Sequence, residues 1–211
     1  MTKPLLLLVH GWGFDAGVWA PLRQALGDAV ETVAWDLGFR GAASRPAVPQ
    51  GRPVVAVGHS LGLLWLLRER PLAWRALVSI NGFPRFTRAD DFPQGVAPRL
   101  LDRMIARFGE APQAVYADFM GRCGVAAPDT EGLAAEALAD GLRALASWDQ
   151  RAGATVDLVL AGRADPIVTE AMTLAAFPRS PVEWQDGGHL LPLTAPDWCA
   201  AKLLAFLETM G

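Results

Sequence analysis

Short, uninterrupted apolar runs are the feature of this sequence that most limits what it can fold into. The clearest are residues 5–9, which read Leu-Leu-Leu-Leu-Val, and residues 54–57, which read Val-Val-Ala-Val. Apolar residues at consecutive positions are typical of strands that are buried on both faces, as in a parallel sheet. Helical patterns separate the runs, and strands that alternate with helices form right-handed crossovers. The sequence therefore predicts an α/β fold.

The order of these runs predicts both the sheet and one insertion. We expect a mainly parallel sheet flanked by helices, with the spatial order 2-1-3-4-5-6. Its six strands are predicted at residues 5–9, 30–35, 54–57, 76–80, 157–161 and 182–184. Residues 83–150 contain helical patterns but no convincing strand, which breaks the alternation. We predict that this segment is a short helical lid over a core formed by residues 1–82 and 151–211.

Composition excludes several classes of function. The chain has 211 residues, enough for one domain, and its net charge of -3 gives no reason to expect nucleic-acid binding. Two distant cysteines make no disulfide framework, and no His or Cys cluster has the spacing of metal ligands, so we predict no metal and no cofactor. Residues 5–9 are too short for a signal peptide or a membrane span. We expect a cytoplasmic monomer.

The segment Gly58-His59-Ser60-Leu61-Gly62 carries the strongest functional signal. It is a G-x-S-x-G pattern between an apolar strand and an apolar helical run, the context in which this pattern forms a sharp strand-to-helix turn. The glycines leave room for close packing, and the turn lifts the serine oxygen above the sheet. We therefore predict that Ser60 is a nucleophile.

Three histidines are available to activate this serine. A serine needs a base to become nucleophilic near neutral pH. His59 adjoins Ser60, and the turn directs neighbouring side chains apart, whereas His10 ends the first strand. His189 follows the last strand, which places it at the same carboxyl edge of the sheet as Ser60. We predict His189 as the base; the alternative is a histidine in a surface loop.

The base in turn needs a carboxylate that fixes its tautomer. Asp165 follows the fifth strand at the same edge, and the chain order Ser60, Asp165, His189 is the order expected for this fold. The alternative is that Asp165 caps a helix, and Asp149 and Asp186 are weaker rivals. We predict that Asp165 completes a catalytic triad.

Two backbone N–H groups are candidates for an oxyanion hole, which stabilises the tetrahedral intermediate. The pattern predicts one donor at Leu61, the residue after the serine. The second should come from the loop after the first strand, where His10-Gly11-Trp12-Gly13 offers the N–H of Trp12. The Trp12 side chain has two interpretations: a wall of the acyl pocket, or ordinary core packing.

These residues resemble the α/β-hydrolase superfamily over nearly the whole chain. Within it, the chain is similar to the pimeloyl-[acyl-carrier protein] methyl ester esterases of biotin synthesis. The likeness is carried by residues 10–13 with Trp19, residues 58–62, residues 77–93, and Asp165 and His189 with residues 196–199. The resemblance implies a serine carboxylesterase that removes the methyl group from a pimeloyl chain carried on acyl-carrier protein, through an acyl-enzyme.

The predicted lid carries a stripe of arginines, at Arg99, Arg103 and Arg107, with Arg122 further along the chain. Residues four apart lie on one face of a helix. Since acyl-carrier protein is acidic, the resemblance makes this stripe a candidate dock for it. The alternative is an ordinary solvated helix face.

Three other functions remain open on the sequence. A short lid selects substrates less strictly, which favours a generic small-ester esterase or a thioesterase. The same fold and triad can serve a lyase of menaquinone-type synthesis, which would form no acyl-enzyme. A binding module without activity would need none of the three triad residues together.

Overall fold

The computed structural model describes residues 4–210, and its centre is one six-stranded sheet. The strands are β1 (Leu5–Val9), β2 (Glu31–Trp35), β3 (Val54–His59), β4 (Ala76–Ile80), β5 (Leu158–Gly162) and β6 (Val182–Gln185). Every neighbouring pair is parallel, and the spatial order is β2-β1-β3-β4-β5-β6. The predicted strand order is confirmed.

Helices lie in every connection between strands except the one from β2 to β3, and two more follow β6. They are α1 (Ala20–Leu26), α2 (Leu61–Glu69), α3 (Pro98–Glu110), α4 (Pro112–Arg122), α5 (Ala135–Ser147), α6 (Glu170–Ala176), α7 (Leu191–Thr194) and α8 (Pro196–Glu208). A 3₁₀ turn at Ala16–Trp19 precedes α1, and the Asp15 carboxylate caps it by accepting the N–H of Gly17 at 2.7 Å. Such caps satisfy donors that have no partner inside the helix.

The two faces of the sheet belong to two separate apolar clusters. Leu6 and Leu8 of β1 pack into one cluster with side chains of α1 and α8, whereas Leu7 and Val9 pack into the other with side chains of α2. All four are fully buried, which explains the uninterrupted apolar run in the sequence. Burial of each such side chain stabilises the fold by about 1.5–3 kcal/mol.

The segment between β4 and β5 carries α3, α4 and α5, and we call residues 83–150 the helical segment. α3 packs against both α4 and α5. Leu101 and Phe108 of α3 and Leu138 of α5 belong to the same apolar cluster as Leu6 and Leu8 of β1. The helical segment and this face of the sheet therefore share one continuous apolar core.

Parallel strands bring the residues that follow β1, β3, β5 and β6 to one edge of the sheet. This is the edge where ligands bind in open α/β sheets. Among residues 4–210, no helix combines the length and apolar character that crossing a bilayer requires.

Candidate active site

Ser60 lies at the sharp turn between β3 and α2. Its φ of 53° and ψ of -124° are unusual for a residue with a side chain. A Cβ atom on Gly62 would lie 2.2 Å from the carbonyl oxygen of Val9, and one on Gly58 would lie 2.4 Å from the Cα of Leu63. Only glycine fits at these two positions, so the G-x-S-x-G pattern follows from the packing of the turn.

A continuous chain of hydrogen bonds joins the three residues that the sequence singles out. The Ser60 hydroxyl is 3.0 Å from Nε2 of His189, and Nδ1 of His189 is 2.8 Å from Oδ2 of Asp165. An ionised carboxylate can only accept, so Nδ1 carries the proton and Nε2 is free to accept from the hydroxyl. All three side chains are buried. The arrangement can therefore move a proton from Ser60 to His189.

The Asp165 carboxylate is held by its own loop. Its Oδ1 accepts the backbone N–H groups of Ile167 and Val168 at 2.7 and 2.9 Å, which leaves Oδ2 for His189. The two rival carboxylates have other partners: Asp149 pairs with arginines, and Asp186 is exposed. Asp165 is thus the carboxylate that the structure brings to the imidazole.

The backbone of the loop after β1 lies directly against the serine. A Cβ atom on Gly11 would be 2.8 Å from the Cβ of Ser60, so the peptide that carries the N–H of Trp12 runs beside the hydroxyl. Leu61, the other predicted donor, is the first residue of α2. First-turn N–H groups of a helix have no acceptor within the helix. Both predicted donors therefore lie next to Ser60.

The Trp12 side chain packs under the helical segment. Its indole N–H donates to the carbonyl of Leu138 in α5 at 2.8 Å. Its ring contacts Phe108 of α3 and Phe119 of α4, both edge to face, with centroids 6.2 and 5.0 Å apart. A Cβ on Gly141 would lie 2.5 Å from the indole. Trp12 thus touches all three helices of the segment.

A cleft of about 430 Å³ opens between α3 and α4. Its walls are mostly apolar and include Phe86, Leu101, Met104, Val115, Phe119 and Ile167. Phe119 touches Trp12, and Ile167 donates to Asp165, so the cleft adjoins the triad. A cleft with mostly apolar walls suits a hydrocarbon chain.

Arginines line the mouth of this cleft. Arg103, Arg107 and Arg122 border it, whereas Arg99 lies one helical turn before Arg103 on α3 and outside its lining. All four are exposed. Arg107 is paired with Asp118 at 2.6 Å. Among residues 4–210, neither Arg103 nor Arg122 has an ion-pair partner.

The two cysteines and His59 are poorly suited to act as nucleophile or base. Burial raises the pKa of Cys123 and that of Cys199 to about 12, so both stay protonated thiols at neutral pH. Burial and the nearby His189 lower the pKa of His59 to about 3, so its ring stays neutral. Within residues 4–210, no three His, Cys, Asp or Glu side chains are grouped so that they could share a metal ion.

Sequence reasoning missed one buried polar residue at this edge. Asn81 follows β4 with a φ of 47° and hydrogen-bonds to the loop that carries His189. The sequence offers a weak signal, because an Asn-Gly pair directly after a strand marks a turn and asparagine tolerates the left-handed region. Nothing in that signal identifies the partners of the amide.

Comparison with known proteins defines the family. A family model described as the alpha/beta hydrolase family matches residues 6–202. The chain belongs to this family. Among solved structures, an alpha/beta fold of the same kind occurs in an esterase from Exiguobacterium antarcticum, with a TM-score of 0.82 and 17% identity over 98% of this chain and 92% of that one.

The relatives of this alpha/beta hydrolase include an esterase and a bifunctional protein of biotin synthesis. A pimeloyl-[acyl-carrier protein] methyl ester esterase from Xanthomonas campestris pv. campestris is 31% identical over 98% of this chain and 96% of its own length. A biotin biosynthesis bifunctional protein BioHC from Cellvibrio japonicus is 34% identical over 57% of this chain. That match spans only 27% of the longer bifunctional protein.

Proposed function

We propose that this alpha/beta hydrolase is a serine carboxylesterase in which Ser60 is the nucleophile, His189 the base and Asp165 the acid that orients the base. The observation that carries the proposal is the hydrogen-bond chain Ser60–His189–Asp165, with distances of 3.0 and 2.8 Å, at the turn after β3. Nucleophile, base and orienting carboxylate within hydrogen-bond reach are the geometric signature of such enzymes.

The geometry supports a two-step reaction. Ser60 Oγ attacks the ester carbonyl carbon while its proton passes to Nε2 of His189, and the N–H groups of Trp12 and Leu61 stabilise the oxyanion. His189 then gives the proton to the leaving alkoxide, which departs as the alcohol. Water attacks the acyl-enzyme, again with His189 as base, and the acid leaves as Ser60 regains its proton. Each oxyanion donor typically contributes about 3 kcal/mol in the transition state.

We propose the methyl ester of pimeloyl-[acyl-carrier protein] in biotin synthesis as the substrate. Two observations support it: the names of the relatives, and the apolar cleft of about 430 Å³ that adjoins the triad. A chain of methylene groups gains free energy by leaving water for such a cleft.

We further propose that residues 83–150 act as a lid and that Arg99, Arg103, Arg107 and Arg122 form the carrier-protein dock. Ser60 is 4% exposed and His189 1%, so an ester bound to a protein reaches them only if these helices move. Arg103 and Arg122 suit the central contacts, because they border the cleft. The enzyme would act as a monomer in the cytoplasm, for which size-exclusion chromatography is the first test.

Removal of the nucleophile tests the reaction. Ser60→Ala is expected to lower kcat on any ester by a factor on the order of 10⁶, as for other triads. Asp165→Asn should lower it by about 10⁴, because the imidazole then adopts the wrong tautomer. A fluorophosphonate should label the wild type and not Ser60→Ala. Turnover that survives in Ser60→Ala would refute the triad.

Charge reversal in the arginine stripe tests the substrate. Arg103→Glu should lower kcat/KM on the carrier-bound methyl ester at least tenfold more than on a short aryl ester, about 1.4 kcal/mol of lost binding. Arg179→Glu is the control, since Arg179 is exposed in the loop before β6, at the opposite edge of the sheet. Equal losses of kcat/KM on both esters would contradict a carrier-protein dock at Arg103. Faster turnover of the aryl ester than of the carrier-bound ester by the wild type would favour a generic esterase.

A further inference from the structure

Asn81 lies at the end of β4 and links two loops of the active site without touching Ser60. The residue is 2% exposed, and its φ of 47° lies in the left-handed region. Asparagine tolerates this region better than most residues with a side chain, at a cost in strain that the surrounding contacts must offset. Its backbone N–H donates to the carbonyl of Leu160 at 2.9 Å, which anchors it between β4 and β5.

Both ends of the Asn81 amide are used. Its Nδ2 donates to the carbonyl oxygens of Gly188 and His189, each at 2.9 Å. Its Oδ1 accepts the N–H of Gly162 at 2.8 Å. Carbonyls can only accept and an N–H can only donate, so these partners fix the orientation of the amide. One side chain thereby joins the end of β5 to the backbone of the catalytic base.

The two loops that Asn81 joins also fit closely against each other. A Cβ on Gly162 would lie 2.4 Å from the carbonyl oxygen of Gly187, so only glycine permits this approach. The N–H of Ala164 donates to the same carbonyl at 3.0 Å. Gly162 precedes Asp165 by three residues. The loop after β5, which carries Asp165 (the acid loop), and the loop after β6, which carries His189 (the base loop), therefore form one hydrogen-bonded unit.

A second buried side chain donates to the carbonyl of His189. Nε2 of His59 lies 2.9 Å from this oxygen, which requires the proton on Nε2. The rings of His59 and His189 are 5.0 Å apart. The carbonyl of the catalytic base thus accepts from two rigid neighbours, one at the end of β3 and one at the end of β4.

From these contacts we infer that Asn81 is a positioning residue for the proposed esterase reaction. Loops are more mobile than the strands that they follow, and a displacement of about 1 Å in a catalytic group can cost 10²-fold in rate. The Asn81 amide ties the backbone of His189 to strands β4 and β5, and so sets the distances from the imidazole to Ser60 and Asp165. The inference rests on the proposed function of these three residues.

Asn81→Asp is the decisive variant. It keeps the size of the side chain and an oxygen for the N–H of Gly162, but it replaces the donor with an oxygen that faces two carbonyl oxygens. We expect kcat to fall at least tenfold while KM changes less than about threefold, because the loss lies in the geometry of the chemical step. The proton on Nδ1 of His189, observed by NMR, should shift in this variant.

Ser79→Ala is the matched control. Ser79 is also buried in β4, and its Oγ accepts the N–H of Gly82 at 3.1 Å. The substitution removes a buried hydrogen bond of the same strand that reaches neither the acid loop nor the base loop. We expect a loss of stability, with kcat and the NMR signal of His189 close to those of the wild type.

The outcomes separate this inference from the proposed function. Wild type and Ser60→Ala are assayed in parallel; if Ser60→Ala keeps its turnover, the triad itself is wrong. If Ser60→Ala is inactive and Asn81→Asp matches Ser79→Ala in kcat, or changes only KM, Asn81 has no positioning role. Should Asn81→Asp not fold, Asn81→Gly, which suits the left-handed φ, is judged by the same criteria.

Discussion

The backbone of Ser60 is in a conformation that glycine adopts more readily than serine, with φ at 53° and ψ at -124°. Such strain costs on the order of 1–3 kcal/mol and persists only where the surroundings enforce it. Here, the close approach of Gly62 to the carbonyl of Val9 enforces it. The Ser60 hydroxyl is therefore held in place at the expense of stability.

Comparing two substitutions at position 60 should reveal this cost. Ser60→Gly is expected to have a free energy of unfolding about 1–2 kcal/mol higher than Ser60→Ala, because glycine adopts this φ without strain. Urea denaturation of both variants measures the difference. Arg70→Gly serves as a reference: Arg70 caps α2 in the ordinary left-handed region, and a gain of only about 1 kcal/mol is expected there. Equal stability of the two position-60 variants would mean that the turn is unstrained.

At the scale of elements, Arg40 connects the loop after β2 to the helical segment. Its Nη1 donates to the hydroxyl of Tyr116 in α4 at 2.7 Å, and Nη2 donates to the carboxylate of Asp129 at 2.9 Å. Its guanidinium also lies 3.6 Å from Asp15. The Arg40 side chain is only 18% exposed, whereas Asp129 is 66% exposed, so the bond to Tyr116 is better shielded from solvent than the ion pair.

Arg40→Ala should loosen the loop between α4 and α5. We expect a loss of about 1–2 kcal/mol in the free energy of unfolding, and faster cleavage by thermolysin between residues 123 and 134. Arg40→Lys should have a stability and a cleavage rate between those of the wild type and Arg40→Ala, because a single ammonium group cannot make the two separate contacts of the guanidinium. Arg143→Ala is the control: its pair with Asp140 is exposed on α5 and is expected to contribute about 0.5 kcal/mol or less. Unchanged cleavage in Arg40→Ala would contradict the connection.

The sequence predicted those elements that are determined by the hydrophobicity of residues close together along the chain. β1 and the first four residues of β3 are continuous apolar runs whose side chains alternate between two buried faces, so the positions of these strands followed from hydrophobicity alone. The parallel pairing of the strands followed from their alternation with helical patterns. The proximity of Ser60, Asp165 and His189 followed because parallel strands end at a common edge.

Contacts between distant parts of the chain could not be predicted in this way. The bond from the Trp12 indole to Leu138 spans 126 positions, and no periodicity encodes it. The amide of Asn81 reaches Gly188 across 107 positions for the same reason. The cleft between α3 and α4 depends on how the helices cross, which the hydrophobic pattern of each helix leaves undetermined.

At the scale of the whole molecule, a buried neutral histidine links folding to pH. Burial, followed by the nearby His189 and His10, lowers the pKa of His59 from 6.5 to about 3. In the unfolded chain, the imidazole of His59 therefore binds a proton near pH 6.5, whereas in the folded chain it binds one only near pH 3. Because the unfolded state binds more protons in this window, stability must fall as the pH falls.

We expect the free energy of unfolding to drop between pH 7.5 and pH 5.5 by about 1 kcal/mol more in the wild type than in His59→Gln. One proton taken up only by the unfolded chain changes this energy by about 1.4 kcal/mol per pH unit below its pKa. Urea denaturation at the two pH values measures both drops, and titrations common to both proteins cancel. Equal drops would indicate that His59 ionises normally in the folded protein.

Trp12 connects the turn that carries Ser60 to the helical segment, since its backbone faces the serine while its indole N–H is bonded to α5. That proton can exchange with deuterium only while the helix is detached from the tryptophan. Its exchange rate, followed by NMR, therefore reports how often the bond between Trp12 and α5 breaks. A covalent inhibitor on Ser60 that holds the helices shut should slow the exchange of this one proton.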